Sequence, residues 1–250
     1  MTEPVTQIAR TPEEVVALAQ SSPDLGTLDE RSTMCRACPR LVEWRENVAR
    51  TKRAAFATQE YWGRPVSGFG PTTATIGILG LAPAAHGGNR TGRIFTGDRS
   101  GDVLFAALHR AGLANQPDSV WRDDGLTLYH TRVFPSVRCA PPANKPTTAE
   151  RDTCAGWLRR ELELLRPTLR VIVVLGAFGW NAFWPVANAV GVTPPRPRPA
   201  FGHGVEWRGE TGPILLGCYH VSQQNTFTGK LTPQMLDAVL RRAKEIAGLS

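Results

Sequence analysis

"LRVIVVLG" spans Leu169 to Gly176, and its inner positions, Val171 to Leu175, are aliphatic without a break. A strand with one wet face alternates apolar and polar residues, whereas a strand covered on both faces runs apolar throughout. This run therefore predicts a central strand of a parallel sheet with helices above and below it. Three more β-rich runs share the chain: "TATIGILGL" (73–81), "LTLYHTRV" (126–133) and "GPILLGCYH" (212–220). Helical patterns alternate with them. "SGDVLFAALHRAGL" follows the first with Ser100 as its expected N-cap, and "TTAERDTCAGWLRRELELLR" follows the second behind a threonine cap. "AFGWNAFWPVANAV" follows the third, and "TPQMLDAVLRRAKEIAGL" follows the fourth. The alternation predicts an α/β fold, with a four-stranded, mostly parallel sheet and helices on both faces. Trp157, Trp180 and Trp184 fall in helical patterns and are expected in the core.

The composition sets wider bounds. Hydrophobic residues make up 42% of 250 and charged residues 20%, enough apolar surface for a buried core and too little charge for wholesale disorder. No run of eighteen apolar residues occurs, which argues against a membrane-spanning helix. The start, "MTEPVTQIAR", lacks the basic-then-apolar layout of a secretory signal, so a cytoplasmic protein with reduced thiols is expected. The net charge of +7 favours an anionic partner. Residues 1–30 read as a weakly attached arm and linker, with "TPEEVVALAQ" a short helix capped by Thr11 and opened by Pro12. Residues 31–250 read as a single domain.

In parallel sheets, ligands bind beyond the carboxyl ends of the strands. The first strand ends in "GLAPAAHGGNRTGRIFTGD" (80–98), and the fourth runs out into "HVSQQNTFTGK" (220–230) at the same edge. Gly87, Gly88, Gly92 and Gly97 let backbone approach a ligand closely, and Arg90 and Arg93 offer charge for phosphates. The loop is neither a Walker A sequence nor a G-x-G-x-x-G fingerprint, and the chain has no G-x-S-x-G elbow of an α/β hydrolase. Five cysteines complete the inventory. Cys35 and Cys38 form a C-x2-C pair, Cys139 and Cys154 a C-x14-C pair, and Cys218 sits in an apolar run as an ordinary buried thiol. Four thiolates suit a zinc ion or an iron–sulfur cluster, and spacing alone does not choose between them.

Together these stretches resemble the uracil-DNA glycosylase superfamily, and most closely its family 5, the type b enzymes, over about residues 32 to 245. The glycine loop is similar to that family's first motif and "H-S--NT-TGKLTP" (220–233) to its second. "VRCAPPANKPT" with the four cysteines is similar to the cluster-bearing layout of families 4 and 5. The resemblance implies a [4Fe-4S] cluster on Cys35, Cys38, Cys139 and Cys154, with zinc as the alternative. It implies excision of uracil, and of hypoxanthine and xanthine, from DNA by a monofunctional enzyme that leaves an abasic site, a monomer in a bacterial cytosol or nucleoid.

The resemblance also places the site. Ala82, Pro83, Ala84, His86, Gly87, Phe95, Asn144, Ser222 and Asn225 are expected around the extruded base, with the Phe95 ring stacked on it. Ala82 stands where better-known superfamily members carry a catalytic carboxylate or amide, so Asp98, later in the loop, is the expected substitute. His220 is expected to be neutral and to donate to uracil O2. Asn144 is expected to read the base, since Pro135 stands where family 4 has an asparagine. Arg90, Arg93, Arg138 and Lys145 are expected on phosphates, and Phe227 or Leu231 in the emptied stack. A reading from another class keeps the same pocket for a non-catalytic binder of damaged or single-stranded DNA.

Overall fold

The computed structural model describes residues 8–249, so the first seven residues of the expected arm lie outside the described residues. Four five-residue strands form the centre of one sheet: β1 (Ile76–Gly80), β2 (Thr131–Pro135), β3 (Val171–Leu175) and, after a two-residue β4 (Glu206–Trp207), β5 (Ile214–Cys218). Their order is β2-β1-β3-β5-β4. The four long strands are parallel, with Ile76 level with both Thr131 and Val171, and Val171 level with Ile214. The expected four-stranded sheet thus gains a fifth strand, antiparallel to β5. Its two residues carry no apolar run; they pair because the outer edge of β5 stands open beside them.

Every residue of the four long strands is buried. Side chains alternate between two cores, as a period of two requires. Ile172 and Val174 face one core, with α6 (Thr148–Leu165) and α7 (Gly176–Phe183). Val171, Val173 and Leu175 face the other, with α5 (Arg99–Arg110) and the last long helix (Pro233–Ala247). Trp157, Trp180 and Trp184 lie in the first core, each about 1% exposed.

The described part of the expected weakly attached arm, residues 8–30, packs against the domain. α1 (Pro12–Gln20) carries the Thr11 cap and first-position proline, with a reciprocal bond from Glu14 to the Thr11 N–H. Most of the expected linker belongs to α2 (Leu25–Thr33), capped by Asp24, whose Oδ1 accepts from Thr27 N at 2.7 Å. Val15, Leu18, Leu25 and Leu28 are buried in the first core. The Arg132 guanidinium donates to both Asp29 and Glu161 at 2.7 Å, so a buried charge cluster ties α2 to β2 and α6. Burial of two leucines and this charge pairing outweigh the weak helix propensity of a segment holding Gly26, Thr27 and Ser32.

α3 (Pro39–Thr51) leads from the C-x2-C pair, and α4 (Gly88–Thr91) is a single turn inside the glycine loop. Past β5 comes the short α8 (Gln223–Phe227), and the Pro233–Ala247 helix is α9. Among the described residues no helix is long and apolar enough to cross a membrane.

Candidate active site

A cleft of about 610 Å³ opens at the carboxyl ends of β1 and β5. The glycine loop supplies Ala82, Ala84, Phe95 and Asp98, the turn at Pro142–Asn144 supplies Asn144, and the exit of β5 supplies His220 and Ser222. Among the described residues five non-glycine residues have positive φ, and three of them, Phe95, Ala143 and Asn144, line this cleft. Such backbone costs about 1–3 kcal/mol per residue and gathers where geometry serves function. The Phe95 ring lies against Gly80, where a Cβ would come within 2.7 Å of it, so the end of β1 is glycine to leave room for the ring.

His220 faces the cleft with its ring centroid 6.1 Å from that of Phe95, tilted by 38°. Gly176, at φ +88°, clears the space behind it; a Cβ there would stand 3.2 Å from the His220 Cβ. Burial pushes the His220 pKa down to about 4, so the imidazole is neutral near pH 7 and one ring nitrogen carries a proton to donate. Asn225 supports this residue from behind, its Nδ2 donating to the His220 carbonyl at 2.8 Å. It braces the turn and does not line the cleft, contrary to the expected base contact.

Asp98, and not Ser100, caps α5: its Oδ1 accepts from Gly101 N at 3.0 Å. Ser100 instead lines the cleft. Burial raises the Asp98 pKa above the ordinary carboxylate value of 3.8. The other carboxylate oxygen lies against Gly87, where a Cβ would be 2.0 Å away. Gly87→Ala is therefore expected to displace the Asp98 carboxylate. Overpacking of this kind costs about 1–3 kcal/mol, measurable by denaturant unfolding, and here a fall in excision rate should accompany it.

The remaining expected residues separate by place. Pro83 packs on Gly88 outside the cleft. His86 and Gly87 line an adjoining groove of about 580 Å³, which shares Ala84, Asp98 and Asn144 with the cleft. The Tyr61 hydroxyl lies 3.0 Å from His86 Nδ1, and burial, with Arg53 and Arg90 nearby, lowers the His86 pKa. Arg53 and Phe56 line the same groove, and no sequence signal marked them. Arg99, Gln223 and Gln224 also line the cleft; the two glutamines follow His220 in the second motif, which is the signal that could have found them.

Three of the four expected phosphate contacts are internal. Arg90 donates to the His86 and Gly97 carbonyls and to Gln59. Arg93 donates to Asp124 at 2.6 Å, and to Thr96 and Ser119. Arg138 donates to Glu161 and Ser32. These guanidiniums hold the fold and the loop together, leaving Arg99 and Arg53 exposed in the walls of the cleft and groove and Lys145 exposed beside the cleft residue Asn144. Leu231 is 2% exposed and cannot enter a base stack, whereas Phe227 is 69% exposed, with the Arg99 guanidinium 5.9 Å from its ring centre.

On the far side of the glycine loop, Cys35, Cys38, Cys139 and Cys154 line one cavity with Arg45 and Trp157. Two chain segments and α6 thus bring the two spaced pairs together. Burial pushes the Cys38 thiol up to about 12 and raises Cys139 and Cys154, so the bare protein holds them as neutral thiols. Three buried donors of the lining, Arg45 Nε, Arg138 Nε and Trp157 Nε1, have no acceptor. Four soft sulfur ligands beside unpaired donors suit an anionic, sulfur-rich group. Among the described residues no three His, Cys, Asp or Glu side chains converge as they would around a single ion. Cys218 is buried apart from them, in the core packed with α5 and α9.

A parallel sheet with its cleft at the strand exits, walled by a glycine loop and a histidine turn, defines an α/β protein with a ligand cleft at the sheet edge. The family model of the Uracil DNA glycosylase superfamily matches residues 67–244. The Type-5 uracil-DNA glycosylase of Mycobacterium tuberculosis is 56% identical over 93% of this chain and 85% of its own. The Type-5 uracil-DNA glycosylase of Thermus thermophilus is 50% identical over 87% of this chain and 95% of its own. A Type-4 uracil-DNA glycosylase of Thermotoga maritima is 29% identical over 78% of this chain and 80% of its own. The chain belongs to the uracil-DNA glycosylase superfamily.

Proposed function

We propose that this chain hydrolyses the N-glycosidic bond of uracil, and of hypoxanthine and xanthine, in DNA, leaving an abasic site. The observation that carries the reading is the presence of a neutral His220 and the half-buried Asp98 in one cleft beside the Phe95 ring. A base inside a duplex is out of reach, so the target nucleotide turns out into this cleft and stacks on Phe95. As the glycosidic bond breaks, its electron pair leaves with the base and the sugar becomes a cation at C1′. The His220 N–H donates to the base oxygen where negative charge collects. The ionised Asp98 opposes the sugar cation and orients the water that adds to C1′. Asn144 hydrogen-bonds the base, and the absence of a polar side chain at Ala82 leaves room for more than one base shape. The protein acts as a monomer.

Cys35, Cys38, Cys139 and Cys154 hold a [4Fe-4S] cluster, which when bound cross-links α2, α3, β2 and α6 and supplies no chemistry of excision. Aerobically purified protein is expected to be brown, with about four irons and four acid-labile sulfides per chain. Cys218→Ser should leave both unchanged. Colourless active protein with one zinc per chain would overturn the cluster.

The test of the function is release of free base from duplexes carrying uracil, hypoxanthine or xanthine, each alone, followed by alkaline cleavage of the abasic strand. Binding without release of any base would favour the non-catalytic reading. DNA affinity is expected to fall with salt, the log–log slope growing by about 0.9 for each phosphate held. Lys145→Ala and Arg99→Ala should each reduce that slope, because these cations are exposed in or beside the cleft; an affinity indifferent to salt would count against a DNA substrate.

A further inference from the structure

Arg45 sits in α3 and is 1% exposed. A buried guanidinium is costly unless a counter-charge meets it. Of the other buried arginines, Arg90 meets two carbonyls and Gln59 through all three of its nitrogens, and Arg93, Arg132 and Arg138 each meet a carboxylate at 2.6 or 2.7 Å. Arg45 does not: the carboxylate nearest to it, on the half-exposed Glu46, is 4.0 Å away and already paired with Arg36. One terminal nitrogen of Arg45 donates instead to Cys139 Sγ at 2.8 Å, the other to the Cys35 carbonyl at 3.0 Å, and its Nε has no partner. All three nitrogens thus lie in the wall of the cysteine cavity, and only the sulfurs there can supply negative charge.

We propose that Arg45 is the counter-ion of the four-cysteine centre, donating to the sulfur of its ligand Cys139 and setting the electronic character of the group bound there. The inference rests on the cluster reading of that cavity. Hydrogen bonds and positive charge at ligand sulfur stabilise the more reduced, more negative state, so the reduction potential of a cluster rises with them. Partners of this kind also typically govern metal retention by 10–100-fold. A neighbouring bond makes the role separable from the active site. The Arg45 carbonyl, which any side-chain substitution leaves in place, accepts from Asn89 Nδ2 in the glycine loop at 3.2 Å.

The experiment compares wild-type protein with Arg45→Met and Arg45→Lys, all isolated anaerobically. Iron, sulfide and zinc per chain in the wild type test the cluster reading by themselves. The variants test Arg45: the rate of metal loss to a chelator, and the midpoint potential by redox titration followed by the visible spectrum. Arg45→Met is expected to lose metal at least about tenfold faster and to shift to a more negative potential. Arg45→Lys, which keeps the charge, should restore part of both. If Arg45→Met retains metal as the wild type does and titrates at the same potential, the proposal falls. If the wild type carries zinc, the cluster reading falls and the chelator rates still decide the role of Arg45. A methionine variant too unstable to isolate is replaced by Arg45→Gln, which keeps a donor but no charge: faster metal loss and a more negative potential would support the proposal, and wild-type values of both would overturn it.

Discussion

His220→Ala is expected to slow single-turnover release of uracil by about 100- to 1,000-fold, the loss that follows removal of one donor to a developing oxyanion. The departing base takes the glycosidic electron pair, and its negative charge collects on oxygen within a poorly hydrated cleft. The imidazole there is neutral, since burial holds its pKa near 4, so an N–H donor is present throughout the neutral range. A cationic histidine would stabilise the anion more strongly, but it would cost too much to bury. DNA affinity should fall far less than the rate, because phosphate contacts supply most of it. His220→Gln, which offers an amide donor of similar reach, should recover part of the rate. Equal losses in binding and in the chemical step would remove His220 from the transition state. The same burial sets a stability window. The folded-state pKa is depressed from 6.5 to about 4, so the contribution of the neutral ring is present above pH 6.5 and lost as pH falls towards 4.

Asp98→Asn is expected to reduce the single-turnover rate on every lesion by on the order of 10²–10⁴-fold, the range for a positioned acid–base group. The amide keeps an oxygen to accept from Gly101 N, so the α5 cap survives, and only the charge facing the sugar and its water is lost. Burial raises the Asp98 pKa above 3.8. The wild-type rate should therefore fall as pH drops through that raised value, protonating the carboxylate, and the variant should be flat across the same window. The stability effect has the opposite sign. A carboxylate whose pKa is raised in the folded state favours folding when protonated and loses that advantage as pH rises, so removal of the charge should leave the protein equally or more stable at neutral pH. Asn144→Ala, which alters contact with the base, should change the lesions unevenly. Excision at the wild-type rate by folded Asp98→Asn would leave the mechanism to His220 and backbone dipoles.

The run Val171–Leu175 was enough to predict a central parallel strand, because an unbroken aliphatic stretch has one favourable place in such a fold: between two helical layers. The two loops of the site were legible for a related reason. Glycines, a histidine and polar residues after a strand have no packing role to explain them, and both loops leave the same sheet edge. The cysteines were legible as a set, through spacing and resemblance.

What lay beyond the sequence depended on partners distant in the chain. β4 exists because the edge of β5 offers hydrogen bonds to Glu206 and Trp207, which have no strand signature of their own. The expected arm packs because Arg132 and Arg138 bring Asp29 to Glu161 across more than a hundred residues. Arg90 and Arg93 read as phosphate ligands because charge is all that a sequence displays; Gln59, Asp124 and the loop carbonyls make them internal struts. Asp98 became both a helix cap and a cleft carboxylate through its contacts with Gly101 and Gly87. Local pattern determined the four long strands, the helices between them and the glycine-rich and polar loops at their exits, since periodicity and backbone freedom are properties of neighbouring residues. Tertiary structure decided which charges are buried, paired or free to act, because desolvation and pairing depend on residues that only the completed fold brings within reach.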